Sequence, residues 1–302
     1  MLPAIDALLT RAGGVASHRR LLSVATRSQV HHEIRTGQLV RVFPDAYCRP
    51  WDADIPAIRH RAALICVGLP SALSHVTALE RWGVSVRGDA SVHVVVSARR
   101  HPSGGHGLVV HRLSKYPPVV RLDGLPTVNV AGALVQSWQL LGAATGRAPL
   151  IEAYRRRLLT AADLRQELDR ATRLRARRAA RELLALLTSG CESELEIWGL
   201  LHVFDAPGLR HGTRQRWVRA NGKNYRIDIA FDEERVAVEL DGSVAHGSRE
   251  QREADVRRDA ALASGGWLTV RFTYDRLTTD PDGCRRDLLA TLAARRRWLD
   301  NR

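Results

Sequence analysis

The sequence is poor in several features, and each scarcity narrows what the protein can be. Lysine is almost absent, since Lys115 and Lys223 are the two lysines among 46 cationic side chains. The four cysteines are scattered without a C-x-x-C pair, which argues against a zinc ribbon or a disulfide scaffold and fits a reducing cytoplasm. No stretch approaches the ~20 apolar residues of a membrane span, and no basic segment precedes an apolar run as in a signal peptide. We therefore expect a cytoplasmic protein without a membrane partner.

Positive charge is what the sequence has in excess. Lys and Arg number 46 against 32 Asp and Glu, which gives a net charge of +14. A field of this sign favours polyanions, either nucleic acid or an anionic membrane surface. An arginine bias this strong also arises in GC-rich genomes, so the charge favours nucleic-acid binding without proving it. Arginine does suit phosphate and guanine, because its planar guanidinium donates two hydrogen bonds at once.

The length of 302 residues and the changes in pattern along the chain predict three domains. Their boundaries are 1–52, 53–188 and 189–302, and the small residues Ser189-Gly190 mark the start of the last. Helical and strand patterns occur in all three. The predicted fold class is therefore a multidomain combination of α/β and α+β.

The middle domain mixes helices and strands. Helical spacing covers 58–68 and 74–82, and apolar runs at 91–97 and 108–112 predict strands. From 131 to about 178 the pattern is mostly helical. The end of this helical stretch is rich in arginine, and its basic face is either solvated or a binding surface.

The first domain has the pattern of a winged helix-turn-helix. A helix with apolar spacing starts at Pro3 and is broken by Gly13-Gly14. Ser17 and Thr26 are suitable N-caps for two more helices, the second of them ending before Gly37. A strand at 39–43 and a returning strand at 46–48 then form a two-stranded wing.

The third helix of this domain carries the candidate DNA-reading side chains. The second helix of a helix-turn-helix pair enters the major groove, where Arg and Gln are the usual readers of G and A. On this helix we predict four DNA contacts, which are Arg27, Gln29, His32 and Arg35. On the wing, Arg41 and Arg49 are candidate phosphate contacts. The alternative is a winged helix that contacts only proteins.

This part of the chain resembles the N-terminal winged-helix domain of abortive-infection (AbiEi-like) type IV antitoxins. The resemblance lies in G-G-V-A at 13–16, R-T-G at 35–37 and L-V-R-V-F-P-D-A-Y at 39–47. S-A-L-S-H at 71–75 and V-H-V-V-V at 92–96 resemble the segment that follows in the same proteins. The resemblance implies an antitoxin-like α/β middle domain, which is where we expect contact with a protein partner.

Two carboxylates lie on neighbouring strands of a predicted hairpin in the third domain. Alternating patterns at 225–231 and 235–240 predict the strands, with Asp228 on the first and Glu239 on the second. Asp241 shares the strand face of Glu239, two residues further on. An isolated strand Asp is commonly a surface residue, but burying paired carboxylates without cations is costly. We therefore predict a metal site.

Such a site suits phosphodiester hydrolysis. That reaction uses a cation that binds phosphate oxygens and lowers the pKa of an attacking water. Mg²⁺ prefers oxygen ligands and is bound by only a few carboxylates. Asp228, Glu239 and Asp241 are therefore the predicted metal ligands, with Asp241 alternatively holding a water or a basic side chain.

The third domain resembles the PD-(D/E)xK nuclease superfamily, and more closely predicted nucleases similar to very-short-patch mismatch repair endonucleases. The matching features occur in the same order along the chain and are S-E-L-E-I-W at 193–198, Gln215, R-I-D at 226–228, V-E-L-D-G at 238–242, His246, D-V-R-R-D at 255–259 and G-W-L-T-V-R-F at 266–272. The resemblance implies a restriction-endonuclease-like α/β domain, dependence on Mg²⁺ with Mn²⁺ as a substitute, and cleavage of DNA.

The resemblance also implies roles for individual residues. Asp228 matches the motif Asp and Glu239 the (D/E) position, while Glu194 matches a helix carboxylate that supports the metal site. His246 falls where this branch tends to keep a histidine. An alternative for Glu194 is a first-turn acid that suits the helix dipole, and His246 alternatively caps a turn.

One position departs from the family pattern. The pattern places Lys two residues after Glu239, but here that residue is Asp241. His246 is then a candidate general base or acid, since its unperturbed pKa lies near neutrality. Arg258 is a candidate for contacting DNA and stabilising the phosphorane charge. The alternative for Arg258 is a structural ion pair with Asp255 on the same helix.

The sequence thus predicts a metal-dependent DNA endonuclease that is targeted by an N-terminal winged helix, in DNA repair or in defence against foreign DNA. The alternative is a non-catalytic DNA-binding regulator, an antitoxin-like repressor in which the nuclease-like fold serves only for binding. A third hypothesis has both ends acting in one defence or repair system. The DNA substrate stays open, and so does oligomeric state, because one site nicks one strand whereas a homodimer cuts both.

Overall fold

Two units make up the computed structural model, Met1–Arg181 and Glu182–Arg302. The structure describes residues 1–88, 90–102, 104–241 and 249–301, without the side chains of residues 249, 251 and 252. None of the helices in those ranges is both long enough and apolar enough to cross a membrane.

The first unit begins with three helices and a small sheet. The helices are α1 Pro3–Arg11, α2 His18–Leu21 and α3 Arg27–Arg35. The strands are β1 Val15–Ala16, β2 Val40–Phe43 and β3 Ala46–Cys48, in the order β1-β3-β2. The predicted caps are confirmed, since the Ser17 hydroxyl accepts from the Arg20 amide and Thr26 forms a capping box with Gln29. Two residues are too few to show a strand period, which is why β1 was not predicted.

The rest of the first unit is built on a five-stranded sheet. Its strands are β4 Ala72–Leu73, β5 Val92–Ser97, β6 Leu108–Leu113, β7 Val119–Leu122 and β8 Leu125–Val128, in the order β6-β5-β4-β8-β7. The helices are α4 Pro56–Val67, α5 His75–Arg81, α6 Val130–Arg155 and α7 Ala161–Arg170, and the next helix, α8 Arg177–Thr188, begins in the first unit and ends in the second. The predicted helices and strands of this region are confirmed, with small differences at their ends. Strands β7 and β8 were missed because the exposed β7 lacks apolar alternation.

One core cluster joins the early and later parts of this unit. Phe43 and Cys48 of the small sheet pack in the same buried cluster as Ile58 of α4 and Val94 of β5. Five consecutive residues of β5, from 92 to 96, are buried. A strand buried on both faces reads as a continuous apolar run, which is why β5 was predictable from sequence.

The second unit is a four-stranded mixed sheet with helices on both faces. Its helices are α9 Glu194–Gly199, continued by a π-helical turn Leu200–Phe204, α10 Arg249–Ser264, α11 Tyr274–Thr279 and α12 Pro281–Asp300. Its strands are β9 Thr213–Ala220, β10 Lys223–Phe231, β11 Val236–Asp241 and β12 Leu268–Thr273, in the order β12-β11-β10-β9. The β10–β11 hairpin and the mixed sheet are confirmed, since β11 pairs antiparallel with β10 and parallel with β12.

Alternation along β10 and β11 separates two faces of this sheet. Phe231 and Val238 pack in one core with side chains of α9, α11 and α12. Ala230 and Ala237 pack on the opposite face with Leu262 of α10. By the two-residue period of a strand, Glu239 and Asp241 follow Ala237 on the face that α10 covers.

Candidate active site

The hairpin brings Asp228 and Glu239 to adjacent strands. Ile229 pairs with Val238, so the preceding residue on β10 lies beside the following residue on β11. The Asp228 Oδ2 atom accepts a hydrogen bond of 2.9 Å from the Leu240 amide. This bond ties the Asp228 carboxylate to the end of β11, next to Glu239.

Glu239 is a buried carboxylate with an arginine partner. Its residue is 5% exposed, and its Oε1 atom is contacted by the Arg258 guanidinium from α10. Arg258 also donates to the backbone carbonyl of Arg226 on β10. Burial and the neighbouring charge of Asp228 raise the pKa of Glu239 to about 7, against the opposing effect of Arg258 and Arg271. Near neutral pH this carboxyl is therefore partly protonated.

A second arginine holds Asp241. Arg271 lies on β12 beside Glu239 in the parallel register, and its Nη1 atom donates to Asp241 Oδ1 at 3.0 Å. Its Nη2 atom donates to Asp259 Oδ1 of α10 at 2.9 Å. The position two residues after Glu239 thus carries an acid, while positive charge reaches the site from β12 and α10. The family pattern instead predicts a lysine on β11, two residues after Glu239.

The helix carboxylate that reaches the site is Glu196. Burial raises its pKa, and the charge of Asp228 adds to that increase. The Gln215 side-chain amide donates to Glu196 Oε2 at 2.9 Å. Glu194, which the family resemblance implied for this role, is exposed on the first turn of α9. Two residues along a helix differ by about 200° in direction, so one of the pair faces the sheet and the other does not.

Gln215 sits where β9 faces Asp228. It lies between the pairs Ile227–Arg216 and Ile229–Arg214, and its backbone has a left-handed φ of 51°. This local irregularity accompanies the contact between its side chain and Glu196. Gln215 was predictable only from the family resemblance, because a glutamine before a hairpin has no chemical signature of its own.

His246 and Arg258 are two further residues of this unit for which the sequence predicted a role. His246 lies outside the described residues. Arg258 was predicted to contact DNA, with an ion pair to Asp255 as the alternative. In the structure its guanidinium contacts Glu239 and the Arg226 carbonyl, and the DNA contact stays a prediction. The physical reason is that α10 packs on the carboxylate face of the sheet, where a buried negative charge attracts the nearest guanidinium.

The predicted DNA contacts of the first unit are partly exposed and partly engaged. Five of them are exposed residues, which are Arg27, Gln29, His32, Arg35 and Arg41. Although Gln29 is exposed, its side-chain oxygen accepts from the Thr26 amide at 2.9 Å in the capping box. Arg49 is bonded to Asp6 at 2.8 Å and to the Thr10 hydroxyl at 2.6 Å, so it fixes α1 rather than facing solvent as a phosphate clamp.

The donor chemistry of the carboxylates suits a hard divalent cation. Among the described residues, Leu240, Arg258 and Arg271 donate hydrogen bonds to Asp228, Glu239 and Asp241, in each case to one carboxylate oxygen. Within the described ranges, the ligand atoms of three metal-binding side chains lie within 4.8 Å of one another only in a histidine group of the first unit. The carboxylates therefore have the right chemistry, and their arginine contacts must loosen before all three can hold one ion.

Comparison with known proteins agrees with this geometry. Residues 212–292 match the model of REase_MTES_1575, a restriction-endonuclease-like family, and this range contains Asp228, Glu239, Asp241, Arg258 and Arg271. The chain is also similar to two proteins of Mycobacterium tuberculosis, uncharacterized protein MT2308 of strain CDC 1551 / Oshkosh and uncharacterized protein Rv2248 of strain ATCC 25618 / H37Rv. Each is 25% identical over 266 residues, which cover 85% of this chain and 93% of the relative. The C-terminal region thus matches a restriction-endonuclease-like family, within a mixed α/β protein of several sheets.

Proposed function

We propose that the protein is a metal-dependent endonuclease that hydrolyses phosphodiester bonds in DNA. The observation that carries this proposal is the placement of Asp228, Glu239 and Asp241 on the two central strands of a sheet, in a region that matches a restriction-endonuclease-like family. Burial raises the pKa of Glu239, and repulsion by the charges of Asp228 and Asp241 adds to the increase. A divalent cation would relieve that repulsion.

The side chains that would hold Mg²⁺ are Asp228 and Glu239, with Asp241 as a further ligand and Glu196 beside Asp228. Mg²⁺ at this place supplies a positive centre for phosphate oxygens and a water of lowered pKa. Arg258 and Arg271 neutralise the carboxylates in the metal-free protein. When a cation takes over that task, their guanidinium groups become available to phosphate, which they suit by geometry.

The first unit supplies a means of targeting. Three helices followed by a hairpin, with a third strand closing the sheet, agree with a winged helix-turn-helix. Arg27, Arg35 and Arg41 are exposed on α3 and on the wing, in a chain of net charge +14. We infer that this surface binds DNA mainly through phosphates, because the Gln29 carbonyl that would read an adenine is engaged in the capping box.

The test is cleavage of supercoiled plasmid and of duplex, mismatched and branched oligonucleotides with Mg²⁺ or Mn²⁺. We expect Asp228→Asn and Glu239→Gln each to reduce cleavage by at least about 10²-fold, since losing a metal ligand removes several kcal/mol of transition-state stabilisation. Asp232→Asn is the matched control, because Asp232 lies in the turn of the same hairpin and pairs at the surface with Arg216. Equal rates for wild type and the two site variants would refute the proposal.

A second candidate is a non-catalytic DNA-binding regulator. The observation that favours it is that Glu239 pairs with Arg258 and Asp241 pairs with Arg271, at a site that has no lysine in the motif position. It predicts that the Asp228→Asn and Glu239→Gln variants still bind a specific promoter. The double variant Arg27→Ala, Arg35→Ala should lose that binding. Mobility-shift titrations of the same variants used for cleavage distinguish the two candidates.

A further inference from the structure

Three histidines from separate elements meet in the first unit. His75 is the first residue of α5, His93 lies on β5 and His111 lies on β6. In the parallel register, His93 pairs with Val109 and Val95 pairs with His111, so the two strand histidines are diagonal neighbours on one face. His93 Nδ1 and His111 Nε2 are 2.9 Å apart, and the His75 ring stacks on the His111 ring with centroids 3.5 Å apart.

The cluster is buried and chemically suited to a metal ion. His75 and His93 are 6% and 2% exposed. Burial, with the mutual proximity of the rings, lowers the pKa of His75 and lowers that of His111 to about 4. The rings of His75 and His111 are therefore neutral at physiological pH, which is the form in which imidazole binds metals.

We propose that His75, His93 and His111 form a binding site for a first-row transition-metal ion, Zn²⁺ in the first instance. One ligand atom from each of the three residues lies within 4.8 Å of the other two. Imidazole nitrogen is a preferred ligand of zinc, and Zn–N bonds of 2.0–2.1 Å in a tetrahedron place ligand nitrogens about 3.3 Å apart. The three ligand atoms are therefore already near the required spacing, and rotation of the side chains would complete the arrangement.

The surroundings of His75 support the assignment. Its Nδ1 atom is 3.0 Å from the Ser74 hydroxyl, which is the kind of outer contact that orients a ligating ring and leaves Nε2 for the ion. The backbone of His75 has a left-handed φ of 50°, and its amide donates to the Gln136 side chain at 3.2 Å. A non-glycine residue held in this conformation by a specific bond is a constrained position, as is usual at functional sites.

A cavity of about 250 Å³ borders His75 and gives its ring room to turn. Turning is needed because the His75 and His111 planes are within 20° of each other, so their in-plane lone pairs run nearly parallel. Gln136, Gln139 and Glu167 also line this cavity. The open side of the ion would therefore face polar side chains or water, while the sheet side is enclosed by the apolar strand β5.

The test measures metal binding by the full chain. Protein stripped with EDTA is titrated with Zn²⁺ by calorimetry, its bound zinc is counted by mass spectrometry, and the visible spectrum of the Co²⁺ form reports coordination. We expect one tightly bound Zn²⁺ per chain, a Co²⁺ spectrum of tetrahedral type, and affinity at least about 100-fold lower in His75→Gln and His111→Gln. Ser74→Ala removes the outer hydrogen bond, and we expect affinity about 10- to 100-fold lower.

Two controls separate this site from others. His106→Gln changes an exposed histidine of the neighbouring loop, and Asp228→Asn changes the candidate active site, so both should leave the tight Zn²⁺ unaffected. Circular dichroism establishes folding of each variant, and the wild-type Co²⁺ spectrum decides the ligand type if a histidine variant fails to fold. No tight Zn²⁺ in wild type, a Co²⁺ spectrum without nitrogen ligation, or unchanged affinity in folded His75→Gln and His111→Gln would overturn the proposal. The cluster would then be a hydrogen-bonded group of histidines only.

Discussion

Replacing Glu239 by Gln tests whether the ionised, buried Glu239 carboxylate destabilises the folded protein. The pKa of Glu239 is raised from 4.5 to about 7, so between those values the folded protein binds a proton that the unfolded chain has released. The contribution of Glu239 to the free energy of unfolding is therefore fully present below pH 4.5, and it is lost as the pH rises through 7. At 1.36 kcal/mol per pKa unit the loss is about 3 kcal/mol. Glu239→Gln lacks the titration and should lack this pH dependence.

The assay is urea unfolding of wild type and Glu239→Gln at pH 5 and pH 8 without divalent ions. We expect the stability of the variant relative to wild type to increase by about 2–3 kcal/mol between the two pH values, because the variant avoids burying a charge. Glu233→Gln is the matched control, since Glu233 lies exposed in the turn of the same hairpin. Parallel pH profiles for wild type and Glu239→Gln would refute the reasoning.

Three further predictions concern the same site and helix α3. Mg²⁺ affinity should rise as pH increases through about 7, because Glu239 must release its proton to become a ligand; calorimetry in buffers of different ionisation enthalpy measures the proton released. Arg271→Ala removes a cation that lowers the pKa of Glu239, so the pH–rate profile of cleavage should shift to higher pH. Arg271→Lys keeps the positive charge and should shift the profile less. Thr26→Ala removes the cap of α3 and should cost about 1 kcal/mol of unfolding free energy, whereas Thr26→Ser should be nearly neutral; chemical denaturation of both variants measures this.

Local chemistry made much of this fold predictable. Thr26 and Ser17 were recognisable as caps because their hydroxyls satisfy amides within the next three residues. The β10–β11 hairpin was recognisable from two alternating runs around a polar turn. Such signals depend on neighbours in sequence, so a single sequence contains them in full.

Features that depend on distant contacts were missed or misplaced. Whether Glu194 or Glu196 faces the site depends on the rotation of α9 against the sheet, and both acids fit the sequence pattern. Strand β9 was not predicted, because its sequence has no continuous apolar face. It is a strand because it pairs with β10, and its own residues do not show that pairing. The histidine cluster joins residues 75, 93 and 111 through the order of strands in a sheet, which no local pattern encodes.

The arginines around Glu239 have a consequence for how such proteins are found. Arg271 comes from β12 and Arg258 from α10, so the positive charge of the site lies 32 and 19 positions away along the chain from the carboxylate. A search of genomes for a linear motif with lysine two residues after the glutamate would discard this chain. A template of three carboxylates and two guanidinium groups in space would keep it, and would also retrieve relatives in which the charge has moved to yet another element.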